Sequence, residues 1–242
     1  MDKTSKDFLP NHVAIVPDGN RRWAKTKGYA PWRGHFVGAE RTEELVRAAL
    51  DAGIYCLSIW GSSRDNLETR SKMEIKALLK IYERYFKKLL KSKEIHENKV
   101  KIDVIGCWSE TLPDKIGKVI KELIESTKNY NGHLLNFFIS YNGTDEMLAA
   151  IKNIVKEARE NKNLRINPQF LEKHLWSGHL PAVDFLIRTG SANDPHNSVG
   201  FMMWQTANTQ YYFTNTLYPD FGKEEFNKAL VDFIKRQRRF GK

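Results

Sequence analysis

Six consecutive positions gather a carboxylate, a glycine, an amide, two guanidinium groups and an indole: Asp18-Gly19-Asn20-Arg21-Arg22-Trp23. Arginines pair with phosphate oxygens in a forked geometry, and glycine lets backbone amides come close to an anion. A carboxylate among them would be repelled by phosphate unless a divalent cation lay between the two. The run therefore reads as a phosphate-binding turn with Asp18 as a metal ligand. A surface turn whose aspartate caps the next segment explains the same residues equally well. Three more polar clusters follow apolar segments in the same way, at Gly61 to Asn66, Tyr141 to Asp145 and Arg188 to Ser198. Asn142-Gly143 taken alone is an ordinary turn, but four clusters placed alike carry more weight than any one of them.

These clusters need a frame to hold them. His12 to Val16 is an apolar run broken by Pro17-Asp18-Gly19-Asn20, which predicts a strand followed by a loop. Ala39 to Ala52 carries Leu45, Val46, Ala49 and Leu50 at helical spacing and stops at Gly53. Tyr55 to Trp60 reads as a buried strand. Met73 to Leu90 is the strongest amphipathic pattern, through Ile75, Leu78, Leu79, Tyr82, Phe86, Leu89 and Leu90. Strands are predicted at Val100 to Ile105, Leu134 to Tyr141 and Val183 to Ile187, and helices at Lys115 to Thr127, Thr144 to Asn161 and Pro168 to Leu175. Alternation along the whole length predicts an α/β fold in a single domain over residues 1–242, a central, mainly parallel sheet flanked by helices. Ligands of such sheets sit beyond the carboxyl ends of the strands, where all four clusters fall.

At 242 residues, 41% hydrophobic and 28% charged, the chain can bury a sizeable core without disulfides. Lys and Arg number 39 against 29 Asp and Glu, a formal charge of +10 that favours anionic partners such as diphosphates, acidic lipid or nucleic acid. No zinc-ligand spacing or nucleic-acid-binding motif accompanies that charge, so nucleic acid is not an expected partner. No apolar run approaches the roughly 18 residues of a membrane span. Met1 to Pro10 is polar, without a hydrophobic signal core, and the two cysteines are Cys56 and Cys107, so a reducing cytoplasm is the expected location.

The DGNRRWA run at Asp18 to Ala24, with His12-Val13-Ala14-Ile15 before it and Gly34-His35, Gly38, Ser63 and Asn66 after it, resembles the cis-prenyltransferases. The best-known members of that family are the undecaprenyl diphosphate synthases. Matching landmarks continue in order through Leu135-Asn136, Tyr141, Asp184, Leu186-Ile187-Arg188-Thr189-Gly190, Phe201 to Gln205, Tyr212-Phe213-Thr214, Leu217, Pro219 and Phe221. They close at Arg238-Arg239-Phe240-Gly241, so the resemblance spans nearly the whole chain, as a divergent member. It implies a Mg2+-dependent transferase that condenses isopentenyl diphosphate with an allylic prenyl diphosphate to give a Z-polyprenyl diphosphate. It also implies a hydrophobic tunnel for the growing chain, a homodimer, and peripheral membrane contact through the product. Two alternatives remain at this point: a weakly active homologue serving as partner subunit of a synthase, and a relative that performs a single or branched prenyl coupling.

By the same resemblance, Asp18 organises Mg2+ and the allylic diphosphate, which Gly19, Asn20, Arg21, Arg22 and Trp23 hold. His35 lies near that diphosphate, and Asn66 with Ser63 near the condensing carbon. A histidine of ordinary pKa, near 6.5, can donate to a departing phosphate, whereas an asparagine can only orient or relay. Arg188, His196 and Ser198 serve the isopentenyl diphosphate. The sequence departs from the family at four points. Arg21 replaces a glycine and Leu67 a tryptophan; the 191–200 loop is longer and offers His196 in place of a permanently charged arginine. Gln210 stands where a glutamate completes the metal site, and an amide oxygen is a poorer ligand for a hard cation. Trp32, Tyr82, Phe86, Phe137 and Phe138 sit on segments that the family uses around its tunnel, with core packing as their default role.

Overall fold

The runs His12–Val16 (β1), Cys56–Trp60 (β2), Val100–Ile105 (β3), His133–Phe138 (β4), Phe185–Arg188 (β5) and Gln210–Phe213 (β6) pair into one sheet. The order is β3-β4-β2-β1-β5-β6, and every neighbouring pair is parallel. This computed structural model describes residues 9–161 and 163–236. The closing motif at 238–241 lies outside the described residues.

Parallel neighbours cannot be joined by a tight hairpin, so the chain crosses over through helices, except from β5 to β6, where residues 189–209 make the crossover in turns. Asn20–Thr26 (α1) and Pro31–Ala52 (α2) join β1 to β2, and Arg64–Thr69 (α3), Lys72–Leu90 (α4) and Lys93–Glu97 (α5) lead to β3. Trp108–Thr111 (α6) and Asp114–Thr127 (α7) precede β4, Gly143–Glu160 (α8) and Pro168–His174 (α9) precede β5, and Lys223–Lys235 (α10) follows β6. Among the described residues no helix is long and apolar enough to cross a membrane.

Side chains alternate between the two faces of the sheet. Val13, Ile15, Leu57, Ile59, Ile102, Val104, Leu135, Phe137, Phe185 and Ile187 form the larger core with α2, α4, α7 and α10. Ala14, Val16, Phe138 and Leu186 face the smaller core, closed by Leu180, Val183, Phe201 and Met202. The smaller side also carries a buried polar chain. His12 donates through Nδ1 to the Pro181 carbonyl at 2.8 Å, so its Nε2 accepts from the Ser58 hydroxyl at 2.8 Å. Ser58 Oγ in turn accepts from Asn136 Nδ2 at 3.2 Å. The chain thus ties three neighbouring strands together, and burial pushes the His12 pKa down to about 4 against the opposing Pro181 bond.

Two sequence expectations are corrected in the crossover after β1. The stretch predicted as a loop enters α1 at Asn20, and the helix expected from Ala39 begins at Pro31. Proline suits the first helical position because its φ is already helical and its missing N–H would be unpaired there. The strand expected to reach Tyr141 stops at Phe138, and Ser140 adopts φ 53° as the chain turns towards α8. Helices α1, α3, α5, α6 and α10 and the short edge strand β6 were not anticipated; apart from α10 each is at most seven residues, too short for a periodic signal.

Candidate functional site

Gly19 makes the turn from β1 into α1 with φ 104°, where a Cβ would sit 2.7 Å from Leu217 Cδ2. Gly34 and Gly38 lie on the face of α2 that meets α1. A Cβ at Gly34 would overlap the Asn20 carbonyl oxygen, and one at Gly38 would overlap Asn20 Oδ1. The glycines that marked the sequence thus let α1 lie directly on α2.

Adjacent strands β1 and β5 send the chain in opposite directions, towards β2 and β6, and this opens a crevice at their carboxyl ends. Asp18 and Arg188 meet there. Asp18 Oδ2 accepts from Arg188 Nη2 at 3.0 Å and Oδ1 from Arg22 Nη2 at 3.0 Å. The Thr189 hydroxyl accepts from the Asp18 N–H at 2.9 Å and donates to its carbonyl at 2.7 Å, which fixes the turn. Arg188 is only 7% exposed; its Nη1 donates to the His196 carbonyl at 2.7 Å, while its Nε is buried without a hydrogen-bond partner. An unpaired buried guanidinium N–H is unfavourable and suits an incoming anion.

The facing wall comes from α3 and α4. Ser63 caps α3 by accepting from the Asn66 N–H at 3.0 Å, and Asn66 Oδ1 accepts from Arg70 Nη2 at 2.8 Å. Arg70 Nη1 lies 3.3 Å from His35 Nε2, and Glu74 Oε1 lies 3.4 Å from the same nitrogen. A neutral ring can accept from Arg70 or donate to Glu74 at that atom, but not both. Burial, reinforced by the Arg70 cation and opposed by Glu74, pushes the His35 pKa down to about 4. The ring is therefore uncharged at neutral pH, which corrects the expectation of an ordinary histidine near 6.5. Glu74 also pairs with Arg21 Nε at 3.3 Å.

Together these walls enclose a cleft of about 700 Å³. Its lining holds five basic side chains, Arg21, Arg22, Lys25, Arg70 and Arg188, against one carboxylate, Asp18. Pro17, Asn20, His35, Trp60 and Arg70 are shared with a second cavity of about 430 Å³ between α2 and α4, over β2 and β4. Val46, Ile59, Leu78, Ile81, Phe86 and Phe137 make that second space largely apolar.

The cleft brings together Asp18, Gly19, Asn20, Arg21, Arg22, His35, Asn66, Arg188 and Ser198. Four other sequence candidates are not in its lining. Trp23 donates from Nε1 to Asp220 Oδ1 at 2.8 Å, and Ser63 is buried as a helix cap. His196 contributes its carbonyl to Arg188, while its half-exposed ring lies 3.3 Å from Asp194 Oδ2 on the same loop. Gln210 opens β6 opposite Phe185, whereas Arg188 stands opposite Phe213. That register leaves Gln210 about 10 Å along the strand from the level of Arg188, so one chain does not bring it to Asp18. Among the described residues no three His, Cys, Asp or Glu side chains are grouped to hold a metal. Sequence reasoning overlooked Arg70 and Glu74; their spacing of four from Asn66 to Arg70 and on to Glu74 was the available signal.

The undecaprenyl diphosphate synthase family model (Prenyltransf) matches residues 16–241. The chain is 36% identical to the tritrans,polycis-undecaprenyl-diphosphate synthase (geranylgeranyl-diphosphate specific) of Pyrococcus abyssi, over 100% of this chain and 90% of that enzyme. It is also 36% identical to the enzyme of the same name from Methanocaldococcus jannaschii, over 98% of this chain and 84% of that one. Among solved structures, lavandulyl diphosphate synthase from Lavandula x intermedia in complex with dimethylallyl diphosphate superposes with TM-score 0.88 at 31% identity, covering 98% and 100% of the two chains. A probable undecaprenyl diphosphate synthase from Campylobacter jejuni gives TM-score 0.74 at 29% identity, covering 96% and 99%.

Proposed function

The chain belongs to the undecaprenyl diphosphate synthase family, and from that premise we infer that it works as a cis-prenyltransferase. It condenses isopentenyl diphosphate with an allylic prenyl diphosphate and releases a Z-polyprenyl diphosphate. One observation of the structure supports this above the rest. The cationic cleft opens into the apolar cavity through Pro17, Asn20, His35, Trp60 and Arg70, a shape suited to a ligand with a diphosphate head and a hydrocarbon tail. The names of the archaeal relatives specify geranylgeranyl diphosphate, which makes it the first primer to try.

In this reading Arg21 and Arg22, with the first turn of α1, take the allylic diphosphate. Arg188 and Ser198 take the isopentenyl diphosphate, and the His196 carbonyl fixes the Arg188 guanidinium. The allylic C–O bond breaks, the terminal alkene carbon of the incoming unit bonds to the allylic carbon, and a proton leaves that unit as its new double bond forms. Guanidinium groups already in place favour the charge that builds on the departing diphosphate. Neutral His35 offers an N–H or a lone pair without adding a cation, and Asn66, held by Arg70, orients the incoming unit.

Asp18 fits the donor set of Mg2+, which takes one or two carboxylates and draws its other oxygens from phosphates and water. Bound there, the ion would neutralise diphosphate charge, and Asp18 would exchange part of its pairing with Arg22 and Arg188 for it. A homodimer belongs to the same proposal. Leu148, Ile151 and Val155 are 46–51% exposed along one face of α8, an apolar stripe that a second copy would cover. A reducing cytoplasm suits the two buried, unpaired cysteines, and an apolar product suits contact with a membrane surface.

The test incubates the purified chain with geranylgeranyl diphosphate, labelled isopentenyl diphosphate and Mg2+. Label should pass into an apolar extract and stop doing so when the metal is chelated. No incorporation by the chain alone, with incorporation when a synthase subunit is added, would turn the reading towards a partner-subunit role. The likeness to lavandulyl diphosphate synthase favours a second reading, a single coupling of short prenyl units, which product mass separates from elongation.

A further inference from the structure

The apolar cavity ends, away from the cleft, at four charged side chains drawn from three helices. Glu43 and Arg47 lie on α2, Lys88 at the end of α4 and Glu94 on α5, and all four line the cavity. Glu43 Oε1 pairs with Lys88 Nζ and with Arg47 Nη2, the latter at 2.8 Å, while Arg47 Nε reaches Glu94 Oε2 at 3.2 Å. Two positive and two negative charges thus close into a bar across the far mouth. The Glu43 side chain is 21% exposed, but Arg47, Lys88 and Glu94 lie between 39% and 58%. Ion pairs so open to water are weak and easily parted.

We propose that this bar is a latch across the exit of the cavity, through which a prenyl tail longer than the cavity passes between α2 and the junction of α4 with α5, and that its strength sets product length. The proposal rests on the prenyltransferase reading. Each added five-carbon unit pushes the tail tip further along the apolar walls. To advance beyond Val46, Phe86 and Leu89, the tip must separate Glu43 from Lys88 and Arg47 from Glu94, while the Glu43–Arg47 pair within α2 holds both side chains in the bar. Burying another unit is favourable and the pairs are individually weak, so the latch delays passage without sealing the mouth. During that delay product release competes with the next addition, so a tighter latch gives shorter chains.

The experiment elongates one primer to completion with labelled isopentenyl diphosphate, using wild type, Glu43→Gln, Glu43→Lys and the reversed pair Glu43→Lys/Lys88→Glu. It reads the mass distribution of products and the initial rate of the first addition. Glu43→Gln weakens the bar and Glu43→Lys crowds three cations into it. Both should move the most abundant product up by at least one five-carbon unit, Glu43→Lys by more, with the first addition unchanged. The reversed pair should return the distribution towards wild type. Unchanged or shortened products from both single variants, with the first addition intact, would overturn the latch and leave the prenyltransferase reading standing. A wild type that builds no five-carbon ladder would overturn both.

Discussion

Asp18 accepts a hydrogen bond on each carboxylate oxygen, so its removal frees two guanidinium groups along with the proposed Mg2+ ligand. Asp18→Ala should lower turnover by on the order of 100-fold or more. The fold should stay intact with a lowered urea midpoint, because the exposed pair with Arg22 is worth at most about 1 kcal/mol whereas the buried Arg188 guanidinium loses a carboxylate partner and keeps the His196 carbonyl. Wild-type turnover in this variant across a Mg2+ titration would remove the metal role. Arg70 supplies a second test, since its cation lowers the His35 pKa after burial, the larger cause. In Arg70→Met the His35 ring should titrate at a higher pH in an NMR titration, and KM for a diphosphate substrate should rise roughly tenfold through loss of a charge-assisted contact. A His35 titration that stayed where it was would contradict the electrostatic description. At this scale the sequence was readable where residue type alone restricts the chemistry, as for Asp18, Arg22 and Arg188. It was misleading where orientation decides, because nothing in the local sequence told that His196 would present its carbonyl and Trp23 would turn to Asp220.

The contact between α1 and α2 shows how an element can be functional without carrying chemistry. Gly34→Ala places a methyl group into the Asn20 carbonyl, which is backbone and cannot rotate away, so it should destabilise by about 1–3 kcal/mol and raise KM for the allylic diphosphate as α1 shifts. Gly117→Ala is the contrasting case. Its Cβ would find only Trp108 Cζ3 at 3.8 Å, inside α7, so it should gain roughly 0.5–1 kcal/mol and leave KM alone. Urea melts and initial rates on the two variants read both quantities, and equal stability changes would refute the packing argument. Long amphipathic helices and buried strands were legible in the sequence because Leu45, Val46, Leu78 and Phe86 repeat at the helical period, and β1, β2 and β4 are near-continuous apolar runs. The register of β6, which takes Gln210 away from Asp18, depends on pairing across 25 residues from Phe185 and has no local signature.

Over the whole molecule, the buried neutral histidines tie stability to pH. His12 has its pKa near 4 in the folded chain against 6.5 as the ordinary value, so the unfolded state binds more protons between those limits. Stability is therefore fully present above about pH 6.5 and is lost as pH falls towards 4, by on the order of 3 kcal/mol from His12 at about 1.4 kcal/mol per pKa unit, with His35 adding in the same direction. Urea midpoints at pH 7 and pH 4.5 should show the fall, and His12→Gln should flatten it; an unchanged slope in that variant would assign the acid sensitivity elsewhere. The α/β architecture was legible from the alternation of strands and helices. What the sequence did not reveal was that the cationic cleft at the β1–β5 crevice joins an apolar cavity, because that junction is made by Pro17, Asn20, His35, Trp60 and Arg70 from four separate segments. The claim that this junction supports repeated Z elongation, with the diphosphate head in the cleft and the growing tail in the cavity, is tested most directly by the product. Mass spectrometry and proton NMR of the extract from geranylgeranyl diphosphate, isopentenyl diphosphate and Mg2+ should show a ladder in five-carbon steps whose newly formed double bonds are Z. A lone single-addition or branched product, or newly formed E double bonds, would contradict it.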